Sequence, residues 1–211
     1  MSLETKLFLG ISIGTLVIIG LAAMLLGKNN PNKITGSGKV STDILVKPQS
    51  HGQGPMDAKV TVVEFGDYEC PACKAAQPIV DQVLSEYKDK IRYVFRNYPL
   101  SGHQYAFGAA QAAEAAALQG KFWEMHSLLY EKSPDLAKDQ LFADAKSLNL
   151  DMDKFTKDYD SDAVKQTVLN DQSDGNAAGL TATPTFFING TQFTGVLPLS
   201  QFESEINSRL K

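Results

Sequence analysis

The chain has 211 residues, of which 43% are hydrophobic and 21% charged, a composition that allows one ordinary packed domain. Its net charge of −4, with no basic stripe in the sequence, argues against nucleic-acid binding. Both cysteines lie in one tetrapeptide, Cys70 to Cys73, which excludes a scaffold of several disulfides and a four-cysteine metal site within one chain. The three histidines are scattered without ligand spacing, so we expect no metal and no cofactor.

The first element is an apolar run from Leu7 to Leu26, which contains no charge and only two hydroxyl side chains. A helix of this length rises about 30 Å, the thickness of the hydrocarbon core of a bilayer. We therefore predict an N-terminal transmembrane anchor over residues 1–27. A cleaved secretory signal is the alternative, although such signals have shorter apolar stretches followed by a small-residue cleavage site.

Residues 28–41 carry no apolar pattern and predict a flexible linker before a folded body at 42–211. Three lysines follow the apolar run and only Lys6 precedes it, so the positive-inside rule alone favours a cytoplasmic body. The cysteine chemistry described below favours the opposite side. We give the chemistry more weight because long domains are translocated largely regardless of charge. The prediction is a single-pass protein of the cell membrane with an extracytoplasmic domain.

The folded body opens with a strand, a helix and a second strand. The β-branched run Val60 to Phe65 predicts a buried strand, and helical spacing begins at Cys70. Pro78 lies inside this helix and is expected to kink it. Ile91 to Phe95 predicts the second strand. A strand–helix–strand order implies a right-handed parallel crossover.

A long helical stretch follows, over about residues 101–178, in which apolar residues recur at helical spacing. Thr185 to Ile188 then predicts a strand, and Asn189-Gly190 is a strong hairpin signal before a returning strand at Thr191 to Thr194. Leu199 to Leu210 closes the body as an amphipathic helix.

The two cysteines lie where the first strand gives way to the first helix. Free backbone N–H groups and the helix dipole stabilise an anion at such a position, so we expect a pKa of Cys70 within the range of about 3.5–7.5. Cys73 follows one helical turn later and can close a small disulfide that exchanges with a substrate thiol. The alternatives are an inert structural disulfide and half of a zinc site shared between two chains.

Three segments in this order resemble the DsbA-type thiol:disulfide oxidoreductases of the thioredoxin superfamily. They are Val62–Cys73, Gln119–His126 and Thr183–Gly190. The resemblance covers about residues 42–211. It implies an α/β thioredoxin fold with a helical domain inserted between its two halves at about residues 101–178, here preceded by one N-terminal transmembrane helix.

The resemblance also implies roles for individual residues. Cys70 corresponds to the exposed nucleophile and Cys73 to the buried resolving thiol. Thr183 and Pro184 correspond to a cis-proline loop that faces the motif and presents backbone to an extended peptide, the alternative being a trans proline that opens a strand. Glu64 corresponds to a buried acid that relays protons to the resolving cysteine, unless it points to solvent at a strand end.

Four further polar residues near these segments have two interpretations each. Negative charge on Asp67 and Glu69 would raise the pKa of Cys70, but we favour solvated loop residues. His103 and His126 could carry protons, but surface or helix-packing histidines are the favoured interpretation.

The leading hypothesis is a membrane-anchored enzyme that introduces disulfides into cysteine-containing, unfolded proteins arriving across the membrane. A membrane partner of the DsbB or VKOR type would reoxidise it. Because Ala72 stands where some DsbA proteins have histidine, we expect a milder oxidant than the strongest DsbA proteins. Thr183 is a second departure, since the best-known oxidases have valine at this position. A disulfide reductase or isomerase on the same fold is an alternative, although no third cysteine is available for reshuffling. A tethered, non-enzymatic chaperone or binding module with a structural disulfide is another, and a peroxide-handling or metallochaperone relative ranks last.

Overall fold

The computed structural model describes residues 37–211, and in this part of the chain six strands form one mixed sheet with helices packed on it. The strands are β1 Ser37–Lys39, β2 His51–Gln53, β3 Val60–Gly66, β4 Ile91–Asn97, β5 Thr185–Ile188 and β6 Thr191–Thr194. Their spatial order is β1-β6-β5-β3-β4-β2, and β3 pairs with β4 in parallel while the other neighbours are antiparallel.

The helices of the described residues fall into two groups, those that flank the sheet and those between β4 and β5. They are α1 Thr42–Leu45, α2 Pro71–Tyr87, α3 Ala106–Ala117, α4 Phe122–Lys132, α5 Lys138–Ser147, α6 Met152–Tyr159, α7 Asp162–Ala177 and α8 Leu199–Leu210. The helices α3 to α7 form the insert that we predicted at about residues 101–178. The order of strand, helix, strand, helical insert, hairpin and closing helix is confirmed.

The predicted anchor at residues 1–27 and most of the predicted linker lie outside the described residues. No helix within residues 37–211 has the length and hydropathy needed to cross a membrane. At the end of the predicted linker, β1 already pairs with β6, and Ser41 caps α1 through a hydrogen bond to the Asp43 N–H. Regular structure therefore begins earlier than residue 42, the start that we predicted for the folded body. It does so because the edge of β6 offers free backbone groups to pair with.

Strand β3 positions the site, and its two faces have different neighbours. Val62 packs in the cluster of buried residues that includes α2 and α8, whereas Val63 and Phe65 pack with α1, β4 and β5. Side chains alternate between the faces of a strand, so Glu64 points to the same face as Val62. The fold thus directs Glu64 towards the side of the sheet covered by α2.

Two local sequence signals are confirmed by the backbone. Asn189 and Gly190 both have positive φ, of 47° and 83°, as a two-residue turn of type I′ between β5 and β6 requires. Gly120 has φ of 73° after α3, the left-handed conformation that ends many helices. Helix α2 continues through Pro78 without a break in its assignment.

A buried ion pair joins the insert to the sheet. The fully buried Arg96 of β4 donates from Nε to Asp171 Oδ1 at 2.7 Å and from Nη2 to Asp174 Oδ2 at 2.6 Å, both on α7. Its Nη1 donates to the Leu45 carbonyl at 2.9 Å. No local pattern in the sequence singles out this arginine.

Candidate active site

The turn between β3 and α2 places the two cysteines. Strand β3 ends at Gly66, and the Cys70 N–H donates to the Asp67 carbonyl at 3.1 Å, which closes a tight turn. Cys70 is the N-cap of α2 and Pro71 is the first helical residue, where a missing N–H costs nothing. Cys73 follows within the first turn of the helix. The sequence-predicted position of the pair is therefore the observed one.

Both thiols are free and largely buried, with an accessible fraction of 7% for Cys70 and 0% for Cys73. The Cys70 sulfur lies 3.5 Å from the Thr183 carbonyl oxygen. We expected an exposed nucleophile, but Cys70 is largely buried, because the loop at Thr183 packs against it. Cys70 is still the more exposed of the two cysteines, as we expected.

The pKa of Cys70 is lowered to about 5, inside the expected range. The largest cause is a hydrogen bond that the Cys73 thiol donates to the Cys70 sulfur. Burial of Cys70 acts in the opposite direction and raises the pKa. Hydrogen bonding with Thr183 and with the backbone N–H groups of Cys73 and Ala72 adds to the shift. Helix N–H groups contribute as predicted, but the neighbouring thiol contributes more.

The pKa of Cys73 is raised far above its ordinary value. Burial is the main cause, followed by its role as hydrogen-bond donor to Cys70 and by the charge of Glu64. The Asp67 N–H donates to the Cys73 sulfur at 3.4 Å and opposes this shift. At neutral pH the pair therefore holds one thiolate, on Cys70, and one thiol, on Cys73.

The loop before β5 brings a proline against the cysteines. The Thr183–Pro184 peptide bond is cis, so the trans alternative is wrong. The Pro184 carbonyl accepts from the Gly195 N–H at 2.7 Å, which ties the loop to the residue after β6. The Thr183 hydroxyl is buried. The structure thus brings Thr183 next to Cys70, as the resemblance implied.

Glu64 is fully buried on the α2 side of β3, so the alternative that it points to solvent is wrong. Its Oε2 accepts from the Tyr93 hydroxyl at 2.6 Å, and its Oε1 has no partner within the described residues. Burial raises the pKa of Glu64 to about 7, with the Tyr93 hydrogen bond opposing and the charge of Asp81 adding to the shift. No described hydrogen bond joins Glu64 to Cys73, and the two interact through charge.

Asp67 is buried rather than solvated, which corrects the favoured interpretation. Its Oδ1 accepts from the Glu69 N–H at 2.8 Å, a local turn that aspartate commonly forms. Its Oδ2 accepts from the Leu100 N–H at 2.8 Å and lies 2.7 Å from His103 Nδ1. Asp67 thus joins the turn before Cys70 to the loop after β4. An aspartate directly after a buried strand was the available signal in the sequence.

His126 is a packing residue, as favoured. It lies among aromatic rings, with Nδ1 3.1 Å from the Tyr68 hydroxyl, and burial lowers its pKa to about 3. The imidazole is therefore neutral. Among residues 37–211, no group of three or more histidine, cysteine or acidic side chains is arranged to hold a metal ion.

A CxxC motif at a helix start, a facing cis proline and a buried acid on the central strand define a thioredoxin-like domain. The family model described as Thioredoxin matches residues 47–208, and the chain belongs to this family. A thioredoxin-like oxidoreductase from Silicibacter pomeroyi DSS-3 superposes with a TM-score of 0.73 at 27% identity, over 80% of this chain and 97% of the other. BdbD from Bacillus subtilis, in its oxidised form, gives a TM-score of 0.72 at 26% identity, over 84% and 99%.

The fold is therefore that of the thiol–disulfide oxidoreductases, with DsbA-type structural neighbours. A curated relative, Na(+)/H(+) antiporter NhaA 3 from Salinispora tropica, is 36% identical over 203 residues. This match covers 94% of the chain but 31% of the antiporter. The chain thus spans about a third of the length of that relative.

Proposed function

We propose that the described domain is an oxidase that introduces disulfides into exported proteins by exchange through Cys70 and Cys73. The observation that carries the proposal is the placement of the two thiols. Cys70 lies at the start of α2 against the Thr183 carbonyl, and Cys73 is buried one turn below it. A stabilised Cys70 thiolate favours the dithiol form of the enzyme, which makes its disulfide a better oxidant.

The reaction starts from the Cys70–Cys73 disulfide. A substrate thiolate attacks the Cys70 sulfur, the enzyme disulfide breaks, and Cys73 leaves with the electron pair and takes up a proton. A second substrate thiolate then attacks the substrate sulfur of the mixed disulfide, and Cys70 leaves as a thiolate. Two electrons pass from the substrate to the enzyme, and the substrate keeps the new disulfide.

Glu64 is the proposed proton donor to Cys73 in this sequence. With a pKa of about 7 it is protonated in about half of the molecules at neutral pH, so it can both give and take a proton. It lies on the same side of the sheet as Cys73 and acts on the Cys73 pKa through its charge.

The loop at Thr183 and Pro184 is the proposed binding site for the substrate chain. Its carbonyl lies beside the Cys70 sulfur, so an extended peptide that pairs with this backbone brings its cysteine to Cys70. Such pairing suits unfolded, cysteine-containing proteins, since backbone groups of folded proteins are already paired.

Location and reoxidation complete the proposal. We infer a single-pass anchor over residues 1–27 and an extracytoplasmic domain, and the antiporter names of the curated relatives support membrane association. The reduced enzyme passes its two electrons to the disulfide of a membrane protein of the DsbB or VKOR type. No cofactor of the domain itself is required for these exchanges.

A redox titration of the full chain against glutathione, combined with the refolding of a reduced model protein, tests the proposal. We expect a potential less negative than the value of about −270 mV typical of thioredoxin, and oxidase activity. Cys70→Ser should abolish turnover, while Cys73→Ser should trap mixed disulfides. A strongly reducing potential without oxidase activity contradicts the proposal and favours a reductase or isomerase.

The low exposure of Cys70 favours one other candidate, a tethered binding module in which the disulfide is passive. Alkylation of the reduced, native chain separates the two. Rapid labelling at Cys70 alone, faster at pH 6 than for an ordinary thiol, supports the enzyme. An unreactive Cys70 supports the passive disulfide.

A further inference from the structure

The loop after β4 presents a histidine to the active-site turn. His103 Nδ1 lies 2.7 Å from Asp67 Oδ2, and 27% of the His103 side chain is accessible. The loop is joined to the turn at three further points. The Tyr98 N–H donates to the Gly66 carbonyl at 2.8 Å, the Leu100 N–H to Asp67, and the Tyr105 N–H to Glu69 at 2.5 Å. These bonds fix the position of His103 relative to the turn.

The turn carries negative charge close to the nucleophile. Asp67 is buried, with no accessible part of its side chain, and lies three residues before Cys70 in the turn that the Cys70 N–H closes. Glu69 directly precedes Cys70. A carboxylate near a thiolate disfavours it, most strongly where water is excluded. Hydrogen bonds from the Cys73 thiol and the helix N–H groups favour the Cys70 thiolate. A cation that offsets the negative charge of the turn favours it further.

Among the described charged groups around the turn, His103 is the cation that lies against the carboxylate of the turn. On α2, Cys73 is a neutral thiol, and the Lys74 ammonium is bound to the carbonyls of Glu131 and Ser133 at the end of α4. Glu64 on β3 adds a further potential negative charge, which acts on Cys73. The loop after β4 contributes His103, which is bound to the carboxylate of the turn.

We propose that His103, as an imidazolium held by Asp67, is the counter-charge of the active-site turn and keeps Cys70 a reactive thiolate. The inference deepens the proposed function and rests on it. His103 acts on the sulfur through Asp67 and is a positioning residue, not a catalytic one.

The direction of the His103 pKa agrees with this role. Burial lowers the pKa of His103, but the hydrogen bond and the charge of Asp67, followed by the charges of Cys70 and Glu69, raise it overall. A base with a raised pKa holds its full counter-charge below its ordinary pKa of 6.5 and loses it as the pH rises through the raised value.

The pH dependence of Cys70 alkylation in the reduced full chain measures the effect. We expect His103→Gln to raise the pKa of Cys70 by about one unit, with a reaction about tenfold slower well below that pKa. His103→Lys restores a cation and should recover most of the shift. In an Asp67→Asn background, His103→Gln should change the pKa of Cys70 much less. His51→Gln is the matched control, because His51 pairs with Glu114 and stacks on Phe122, and it should leave the Cys70 pKa unchanged.

Three outcomes decide the inference. An unchanged pKa of Cys70 in His103→Gln overturns it, and equal values in the glutamine and lysine variants reduce His103 to a structural residue. If the variants do not fold, the His103 imidazole of the unchanged chain can be titrated by NMR, and its pKa should fall when Cys70 is oxidised, since coupling is reciprocal. No such fall overturns the inference. If the variants show these changes in the Cys70 pKa but the chain has no oxidase activity, only the proposed function is overturned.

Discussion

Two buried carboxylates, Glu64 on β3 and Asp171 on α7, have opposite electrostatic surroundings. Asp171 accepts from Arg96 at 2.7 Å and from the Asn97 N–H at 2.9 Å. Glu64 has the Tyr93 hydroxyl on one oxygen and no described partner on the other. Burial raises both pKa values, to about 6 for Asp171, where the Arg96 charge opposes the shift, and to about 7 for Glu64.

The difference separates a structural acid from one suited to chemistry. Asp171 and Arg96 each compensate the charge of the other, and together they join the insert to the sheet. Glu64 has no cationic partner within the described residues, so its protonation state is free to change near neutral pH. A buried acid without a counter-charge destabilises a fold. The proton exchange with Cys73 that we propose is a reason for keeping such an acid at this position.

The largest expected effect comes from removing Arg96, the cation that pairs with Asp171. Arg96→Met leaves Asp171 and Asp174 without their cation in a buried site, and should lower the free energy of unfolding by about 3–5 kcal/mol. Urea denaturation of the reduced chain at pH 7.5 measures it. Arg92→Met is the control, since Arg92 donates to the Gly54 carbonyl at an exposed position. A loss below about 1 kcal/mol for Arg96→Met would contradict this view of the pair.

Replacing Glu64, which has no cationic partner within the described residues, should instead raise the free energy of unfolding. The Glu64 carboxyl titrates at 4.5 when unperturbed and at about 7 in the fold, so the folded state holds an extra proton between these values. The stability that this proton confers is complete below pH 4.5 and is lost as the pH rises through 7. Glu64→Gln should therefore stabilise the reduced chain by up to about 3 kcal/mol above pH 7.5, and by little at pH 4.5.

The pH dependence of chemical denaturation checks the second prediction, with the exposed Glu131→Gln as control. If Glu64→Gln destabilises the chain at high pH, Glu64 has a counter-charge and the comparison with Asp171 fails. The same variant should slow the attack of a substrate thiolate on the Cys70–Cys73 disulfide, the step in which Cys73 leaves and takes up a proton, and should remove the pH dependence of that step near 7.

The smallest expected effect concerns the hydrogen bond that Tyr93 donates to Glu64. Tyr93→Phe removes the one hydrogen bond that Glu64 accepts within residues 37–211, a bond that stabilises its ionised form, so the pKa of Glu64 should rise further. The cost is roughly 1 kcal/mol, and it should appear only above neutral pH, where Glu64 is ionised. The pH at which the wild-type and variant stability curves diverge measures the shift. A shift to lower pH would mean that Tyr93 does not donate to ionised Glu64.

Local signals predicted much of the fold and part of the site. Residue periodicity indicated β3, α2, β4 and the insert, and Asn189-Gly190 indicated the hairpin. Cys70 and Cys73 could be placed at a helix start because strand and helix periodicities meet there. The cis bond before Pro184 was available only through the resemblance, since spacing does not distinguish cis from trans.

Long-range contacts were beyond the sequence. Strands β1 and β2 are three residues each, too short for a periodic signal, and they form because the edges of β6 and β4 accept them. Asp67 and His103 are 36 residues apart and meet across a loop, so neither revealed the other. The counter-charge of Asp171 was hidden for the same reason.

By itself, then, the sequence determined the order of elements and the chemistry on offer, because strand and helix periodicity and the CxxC spacing are local properties. Only the tertiary structure decided how each charge is compensated. It covers Cys70 with the Thr183 carbonyl, and it gives Asp171 an arginine and Asp67 a histidine. Among residues 37–211, it leaves Glu64 with a tyrosine alone. Partners of buried charges come from distant parts of the chain, and the cost of burial depends on which partner arrives.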